Sequence, residues 1–354
     1  MESAVEPKEP AAEAAATPAA APAPLPLPAR ILVRSSNWLG DAVMTVPAIR
    51  AIKRSEPSPH IAILTQAKLA DFWKAVPEVD QIIGIGRHDS VFGVARKIGK
   101  GFDMALLLPN SVRSALEVWL ARVPRRAGYP GKSRRWLLNE ILAERPGTER
   151  PRHQVFHYLD LAKFAGAKID DAALNPENFF PSTRTSKPAA GEKIKIGLCP
   201  GAEYGPAKRW LSDRFAAAAN TVSQRRDCGW ILYGTEKDKP VGEEITKQLT
   251  GNFTDLIGKT TLAELIASLR ECRLLLTNDT GTMHLAAFLG VPTVSVFGST
   301  EPILTGPLGR GHRILRHHVE CSPCFLRECP IDFRCMRAVE TEEVVEAALK
   351  TIDA

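Results

Sequence analysis

The segment Leu274-Leu-Leu-Thr-Asn-Asp-Thr-Gly-Thr-Met-His284 sets an apolar run directly before a carboxylate, a hydroxyl, a glycine and an imidazole. A strand ending at Asn278-Asp279 and a helix starting at Thr280-Gly281 would aim unpartnered N–H groups and the positive end of the helix dipole at one point. A phosphate docks there, and Gly281 lets it come close. The competing reading is that Asp279 or Thr280 caps the helix and His284 packs inside. A second loop, Cys199-Pro-Gly-Ala-Glu-Tyr-Gly-Pro-Ala-Lys-Arg-Trp210, carries Gly201 and delivers Lys208, an ammonium able to neutralise a diphosphate as a point charge. It matches neither a Walker A loop nor G-x-G-x-x-G, and a Lys-Arg pair alone also suits solvated surface. A third loop, Ser35-Ser-Asn-Trp-Leu-Gly-Asp41, follows an apolar run and ends in a carboxylate that can accept the proton of an attacking hydroxyl, or cap a helix.

Two further clusters concentrate chemistry. Between Asn110 and Arg135 stand Arg113, Arg122, Arg125, Arg126, Lys132, Arg134 and Arg135 against the single acid Glu117. Arginine forks match carboxylate and phosphate oxygens, which suits a doubly anionic acceptor, an acidic membrane surface or a nucleic acid. Aromatic residues are too sparse here for base stacking, which disfavours the nucleic acid. Cys321, Cys324, Cys329 and Cys335 are close enough in sequence to hold zinc or an iron–sulfur cluster, although only the first spacing is of the usual metal type, and packed free thiols are the alternative.

The elements that must position these residues alternate in a βαβ rhythm. Short apolar runs at Ile31-Leu-Val33, Ile61-Ala-Ile-Leu64, Ile82-Ile-Gly-Ile85 and Met104-Ala-Leu-Leu-Leu108 read as strands. Val43, Val46, Ile49 and Ile52 recur at helical spacing, with Pro47 expected to kink or restart the helix. Residues 181–192 are poor in large apolar side chains and read as a linker. The rhythm restarts at Ile194-Lys-Ile-Gly-Leu198, Trp230-Ile-Leu-Tyr233, Leu274-Leu-Leu276 and Val291-Pro-Thr-Val-Ser-Val-Phe297, with helices predicted at 215–224, 262–269 and 340–352. Two doubly wound α/β domains are therefore expected, at 30–182 and 193–337, with ligands outside the carboxyl ends of the strands.

The whole chain sets outer limits. Its 354 residues suit two domains, and 44% hydrophobic with 24% charged residues is the usage of a globular protein. The net charge of +6 fits an anionic partner or simple solubility. No run approaches the roughly 18 apolar residues that span a bilayer. Residues 1–29, rich in Ala and Pro and without a cationic start, read as a disordered tail rather than a signal peptide. Seven cysteines, an odd number, suit reduced thiols and a cytoplasmic address.

Taken together, Ser35-Ser-Asn-Trp-Leu-Gly-Asp-Ala-Val-Met44, Leu108-Pro-Asn-Ser-Val-Arg-Ser114, Pro124-Arg-Arg-Ala-Gly-Tyr129, Lys208-Arg-Trp210 and Asn278-Asp-Thr-Gly-Thr-Met-His284 resemble glycosyltransferase family 9 from about Ile31 to the C terminus. The resemblance implies a GT-B fold of two Rossmann-like domains facing a cleft, acceptor site in the first and nucleotide sugar in the second. It also implies a C-terminal helix, residues 338–354, that packs back on the first domain. The implied activity is inverting, metal-independent transfer of heptose from ADP-heptose to the first heptose of the lipopolysaccharide inner core, peripheral to the inner membrane. In this pattern Asp41 is the base and Lys208 the diphosphate contact. Gly201, Asp279, Thr280, Gly281 and His284 bind donor, Asp238 meets the ribose, and Lys259 and Thr260 lie near the adenine. Asn110, Arg113, Arg122, Arg125 and Arg126 would hold the acceptor. Leu211 departs from the proline many relatives carry there. The alternatives are a relative acting at a different acceptor position, a nicotinamide-dependent dehydrogenase, which the lone Gly40 in the first βα turn disfavours, and a zinc module binding anionic lipid.

Overall fold

A computed structural model describes residues 27–145, 151–170, 174–181 and 193–354. Most of the expected tail, residues 1–26, and all but the first residue of the expected linker at 181–192 lie outside the described residues. The strands β1 (Arg30–Arg34), β2 (His60–Gln66), β3 (Gln81–Ile85), β4 (Met104–Leu107), β5 (Arg125–Gly128) and β6 (Glu140–Ile141) form one parallel sheet of order β3-β2-β1-β4-β5-β6. A second parallel sheet holds β7 (Ile194–Cys199), β8 (Cys228–Leu232), β9 (Phe253–Asp255), β10 (Leu274–Asn278), β11 (Thr293–Val296) and β12 (Arg313–Leu315) in the order β12-β11-β10-β7-β8-β9. Both sheets run outward from their first strand in opposite directions. Each has one switch point, between β1 and β4 and between β7 and β10, where ligands bind in such sheets.

Both faces of each sheet are covered, which is why their central strands read as unbroken apolar runs. In β1, Ile31 and Val33 enter one core while Leu32 enters another on the opposite face. The first lobe carries α1 (Leu39–Met44), α2 (Val46–Lys53), α3 (Ala70–Lys74), α4 (Val91–Ile98), α5 (Val112–Leu120) and α6 (Val155–Phe164). The helical pattern expected through Pro47 breaks at Thr45, and Pro47 falls in the first turn of α2, where its missing N–H costs nothing. The second lobe carries α7 (Ser212–Arg225), α8 (Lys239–Thr246), α9 (Leu262–Glu271), α10 (Gly281–Phe288), α11 (Pro302–Thr305), α12 (Arg334–Arg337) and α13 (Thr341–Ile352).

The terminal helix corrects one expectation. Rather than returning to the first lobe, α13 packs on α7, β10, β11 and β12. Its stripe of Val344, Val345, Ala348 and Ile352 completes the core that Val222, Val294 and Val296 build in the second lobe. The Arg273 guanidinium donates to Ile352 O, and Arg226 pairs with Asp353 at 2.6 Å, so the helix is also tied polar-wise to that lobe. The short strands β5, β6, β9 and β12 were not expected from the sequence, because none contains a clean apolar run: β5 is Arg-Arg-Ala-Gly and β9 is Phe-Thr-Asp.

The lobes meet where α1 lies on α10 and α3 on α9. Glycines make the first contact possible. A Cβ on Gly40 would stand 2.9 Å from His284 Cδ2, and one on Gly281 would stand 3.2 Å from Gly40 N. Beside it, His153 hydrogen-bonds Gly306 O at 2.9 Å across the lobes, and Phe180 meets Phe288 edge-on at 5.6 Å.

Candidate active site

The carboxyl ends of β1, β7 and β10 open onto one cleft of about 720 Å³, within the size range of small-molecule sites. Its walls include Asp41 from the first lobe, with Gly201, Lys208, Asp238, Thr260, Asp279, Thr280, Gly281 and His284 from the second. All these side chains and loops, expected from separate motifs, are thus brought together.

Asp41 sits in the first turn of α1, directly after the β1 loop. The Ser36 hydroxyl donates to its Oδ2 at 3.1 Å. Burial pushes its carboxyl pKa up, against the Ser36 hydrogen bond and the Lys208 charge, so the group is a stronger base than an ordinary aspartate while still reaching the cleft. The loop that carries it is fixed by a residue the sequence reading did not single out. Buried Arg34 pairs with buried Glu117 at 2.9 Å and donates to Ser35 O at 2.7 Å.

On the facing wall, Thr280 caps α10 by accepting from Met283 N, which leaves the helix start turned to the cleft. Asp279 is buried, and its Oδ2 receives both Lys208 Nζ at 2.6 Å and Thr300 Oγ1 at 2.7 Å. Asn278 braces the neighbouring loop, accepting from Trp210 N at 2.9 Å and donating to Pro200 O at 2.7 Å. The capping and ligand readings of this segment are therefore compatible: Thr280 caps, while Asp279 holds the ammonium at the helix mouth. His284 is 4% exposed, its Nδ1 has no partner among the described residues, and burial takes its pKa down to about 4, so it lines the site as a neutral ring.

Other expected residues stand differently. The Asp238 Oδ2 accepts from Thr235 N and Oγ1 in a capping box, leaving Oδ1 toward Arg209 at 3.5 Å. Lys259 pairs with Asp255 at 3.1 Å and does not line the cleft. Nor do Asn110, Arg113, Arg122, Arg125 and Arg126. Arg113 engages Glu117, Arg125 pairs with Glu140, and Arg126 donates to the carbonyls of Val123, Pro124 and Leu137. Much of the basic cluster thus holds the lobe together, while Asn110, Arg113 and Arg122 are the exposed members of the five. Cys321, Cys324 and Cys329 lie near Cys335 as free thiols, yet among the described residues no three His, Cys, Asp or Glu side chains are arranged to hold a metal ion.

Residues 91–333 match glycosyltransferase family 9 (heptosyltransferase). The chain belongs to this family. It is 33% identical over 308 residues to the lipooligosaccharide heptosyltransferase 2 of Haemophilus influenzae, covering 81% of this chain and 88% of that one. To the lipopolysaccharide heptosyltransferase 1 of Pseudomonas aeruginosa it is 43% identical over 330 residues, covering 85% and 87%. The solved ADP-heptose lps heptosyltransferase II of E. coli superposes with a TM-score of 0.74 at 27% identity, over 91% of this chain and 98% of that one. The two lobes are accordingly the halves of a GT-B fold. Family membership sets aside the dehydrogenase and the noncatalytic zinc module. Trp38, Lys68, Glu203, Tyr204 and Arg327 also line the cleft without having been foreseen. Lys68 had a readable signal, lying just past the carboxyl end of β2.

Proposed function

We propose that this chain transfers heptose from ADP-heptose to the first heptose of an anionic lipopolysaccharide inner core, with inversion. The observation that carries the proposal is the opposition of Asp41, on α1, to Lys208, Asp279 and the mouth of α10 across a single cleft. Asp41 takes the proton of the acceptor hydroxyl as its oxygen attacks the anomeric carbon, and ADP departs from the far side. Negative charge grows on the diphosphate as the sugar becomes oxocarbenium-like, so Lys208 and the N–H groups of α10 stabilise the transition state more than the ground state. Gly201, Asp238 and Thr260 would flank the nucleotide, with Lys259 at its rim. Asn110, Arg113 and Arg122 are our acceptor-side candidates. Arg125 and Arg126 act there through the backbone and carboxylate they hold.

The acceptor step is supported by the relatives named as heptosyltransferase 2 or II. The Pseudomonas relative favours a second reading, addition of the first heptose. We place the reaction at the cytoplasmic face of the inner membrane, where a lipid-anchored acceptor would be met. No helix among the described residues is long and apolar enough to cross a membrane. The test is incubation with ADP-heptose and either heptosyl-Kdo2-lipid A or Kdo2-lipid A, read by mass spectrometry. One added heptose on the first acceptor alone is expected. Addition to Kdo2-lipid A instead installs the second reading, and no addition to either removes the proposal.

A further inference from the structure

Three cations line the cleft: Lys68, Lys208 and Arg327. Lys208 is already compensated by Asp279 at 2.6 Å, and Lys68 belongs to the opposite lobe. The Arg327 guanidinium contacts the Tyr204 ring and has no ion pair among the described residues.

Its position is nevertheless built. Arg327 O accepts from Ala207 N at 3.0 Å, in the loop that delivers Lys208. Gly205 is required beside it, since a Cβ there would run into the same carbonyl. The Tyr204 hydroxyl donates to Phe325 O at 2.7 Å, and Phe325 N donates to Ser299 O at 2.8 Å, which anchors the cysteine-containing segment to the end of β11. On this support the Arg327 guanidinium lies 5.1 Å from the Tyr204 ring centre and the Lys208 ammonium 4.9 Å from the same ring. An aromatic face attracts each cation, and an anion received beside this ring would give Arg327 the counter-charge that Lys208 already has in Asp279.

We propose that Arg327 is a donor-binding residue that, with Lys208, grips the diphosphate of the nucleotide sugar. The assignment rests on the transfer reaction proposed above. As the bond from the anomeric carbon to the β-phosphate oxygen breaks, its electron pair stays on that oxygen. The new bond forms to the acceptor oxygen, and the acceptor proton passes to Asp41. The departing ADP thus gains negative charge beside a guanidinium whose planar fork fits two phosphoryl oxygens, whereas a lysine offers a point charge. This gives the loop containing Cys321, Cys324 and Cys329 a task that needs no metal ligation: it sets the backbone from which Arg327 reaches the site.

The experiment is calorimetric titration of ADP and AMP into wild type, Arg327→Met, Arg327→Lys and Tyr204→Phe, alongside transfer kinetics and thermal melts. Arg327→Met should weaken ADP by at least about tenfold while leaving AMP near wild type. Arg327→Lys should fall between them, and Tyr204→Phe, which keeps the ring, should lose less than Arg327→Met. Unchanged ADP affinity in a well-folded Arg327→Met overturns the assignment. A raised acceptor KM with unchanged ADP affinity overturns it too, moving Arg327 to an acceptor anion. If wild type binds no ADP, the transferase reading itself falls and takes this one with it.

Discussion

Asp41 combines two demands that usually conflict, reach into a cleft and partial removal from water. Because burial raises its folded pKa, the folded state holds the proton more tightly than the unfolded chain does, and stability is lost as pH rises through that value. Asp41→Asn should therefore melt no lower than wild type at neutral pH, keep ADP affinity, and lose transfer almost completely. A variant that turns over normally removes Asp41 from the mechanism. In wild type, kcat/KM should climb with pH through an ionisation above the ordinary aspartate range, a limb absent from any residual activity of the variant. Lys208→Ala should show the complementary pattern, weaker ADP in calorimetry together with slower turnover. These loop residues were legible because hydroxyl, glycine, carboxylate and lysine stand within a few positions at strand ends. Arg34 and Arg327 were not. The first lies inside a strand with its partner 83 positions away, and the second sits among thiols that suggest another chemistry.

At the scale of elements, the β1 loop depends on a charge pair sealed under α5. Glu117 is fully buried and receives both Arg34 and Arg113. Glu117→Ala would leave Arg34 buried without its counter-charge, and a loss of about 3–5 kcal/mol in denaturant unfolding is expected. A loss under about 1 kcal/mol would mean that water reaches Arg34. In the sequence Glu117 is only the single acid of a basic stretch, since order along the chain cannot show that α5 turns it inward. The same limit explains the strands. Apolar runs announced the central ones, whereas β5, β6, β9 and β12 extend the sheets outward with polar or mixed residues whose pairing only the neighbouring strand decides. The stripe on α13 was readable, but not which sheet it would cover.

Across the whole molecule, two buried imidazoles, His153 and His284, and the half-buried His312 stand near the lobe contact. His284 and His312 have pKa values lowered to about 4, and burial lowers that of His153 as well. A depressed histidine binds its proton more readily when unfolded, so stability is full above about 6.5 and drains as pH falls toward about 4. Thermal melts should drop steeply across that window, and His312→Gln, which lies outside the cleft, should flatten the slope. An unchanged slope would assign the acid sensitivity to other groups. Gly40→Val should separate α1 from α10, slowing transfer while ADP affinity holds. Equal loss of both would mean that Gly40 serves the donor site directly.

The placement of α13 carries one more consequence. Since the last helix stays with the sheet that precedes it, all described strands of the first sheet precede residue 142 and all those of the second follow residue 193. Residues 193–354 are then an uninterrupted stretch that can be severed without cutting any strand from its sheet. Produced alone, that fragment should capture ADP yet convert nothing, and supplying residues 27–181 in trans should restore turnover, as two halves of a hinge work once the pin is replaced by contact.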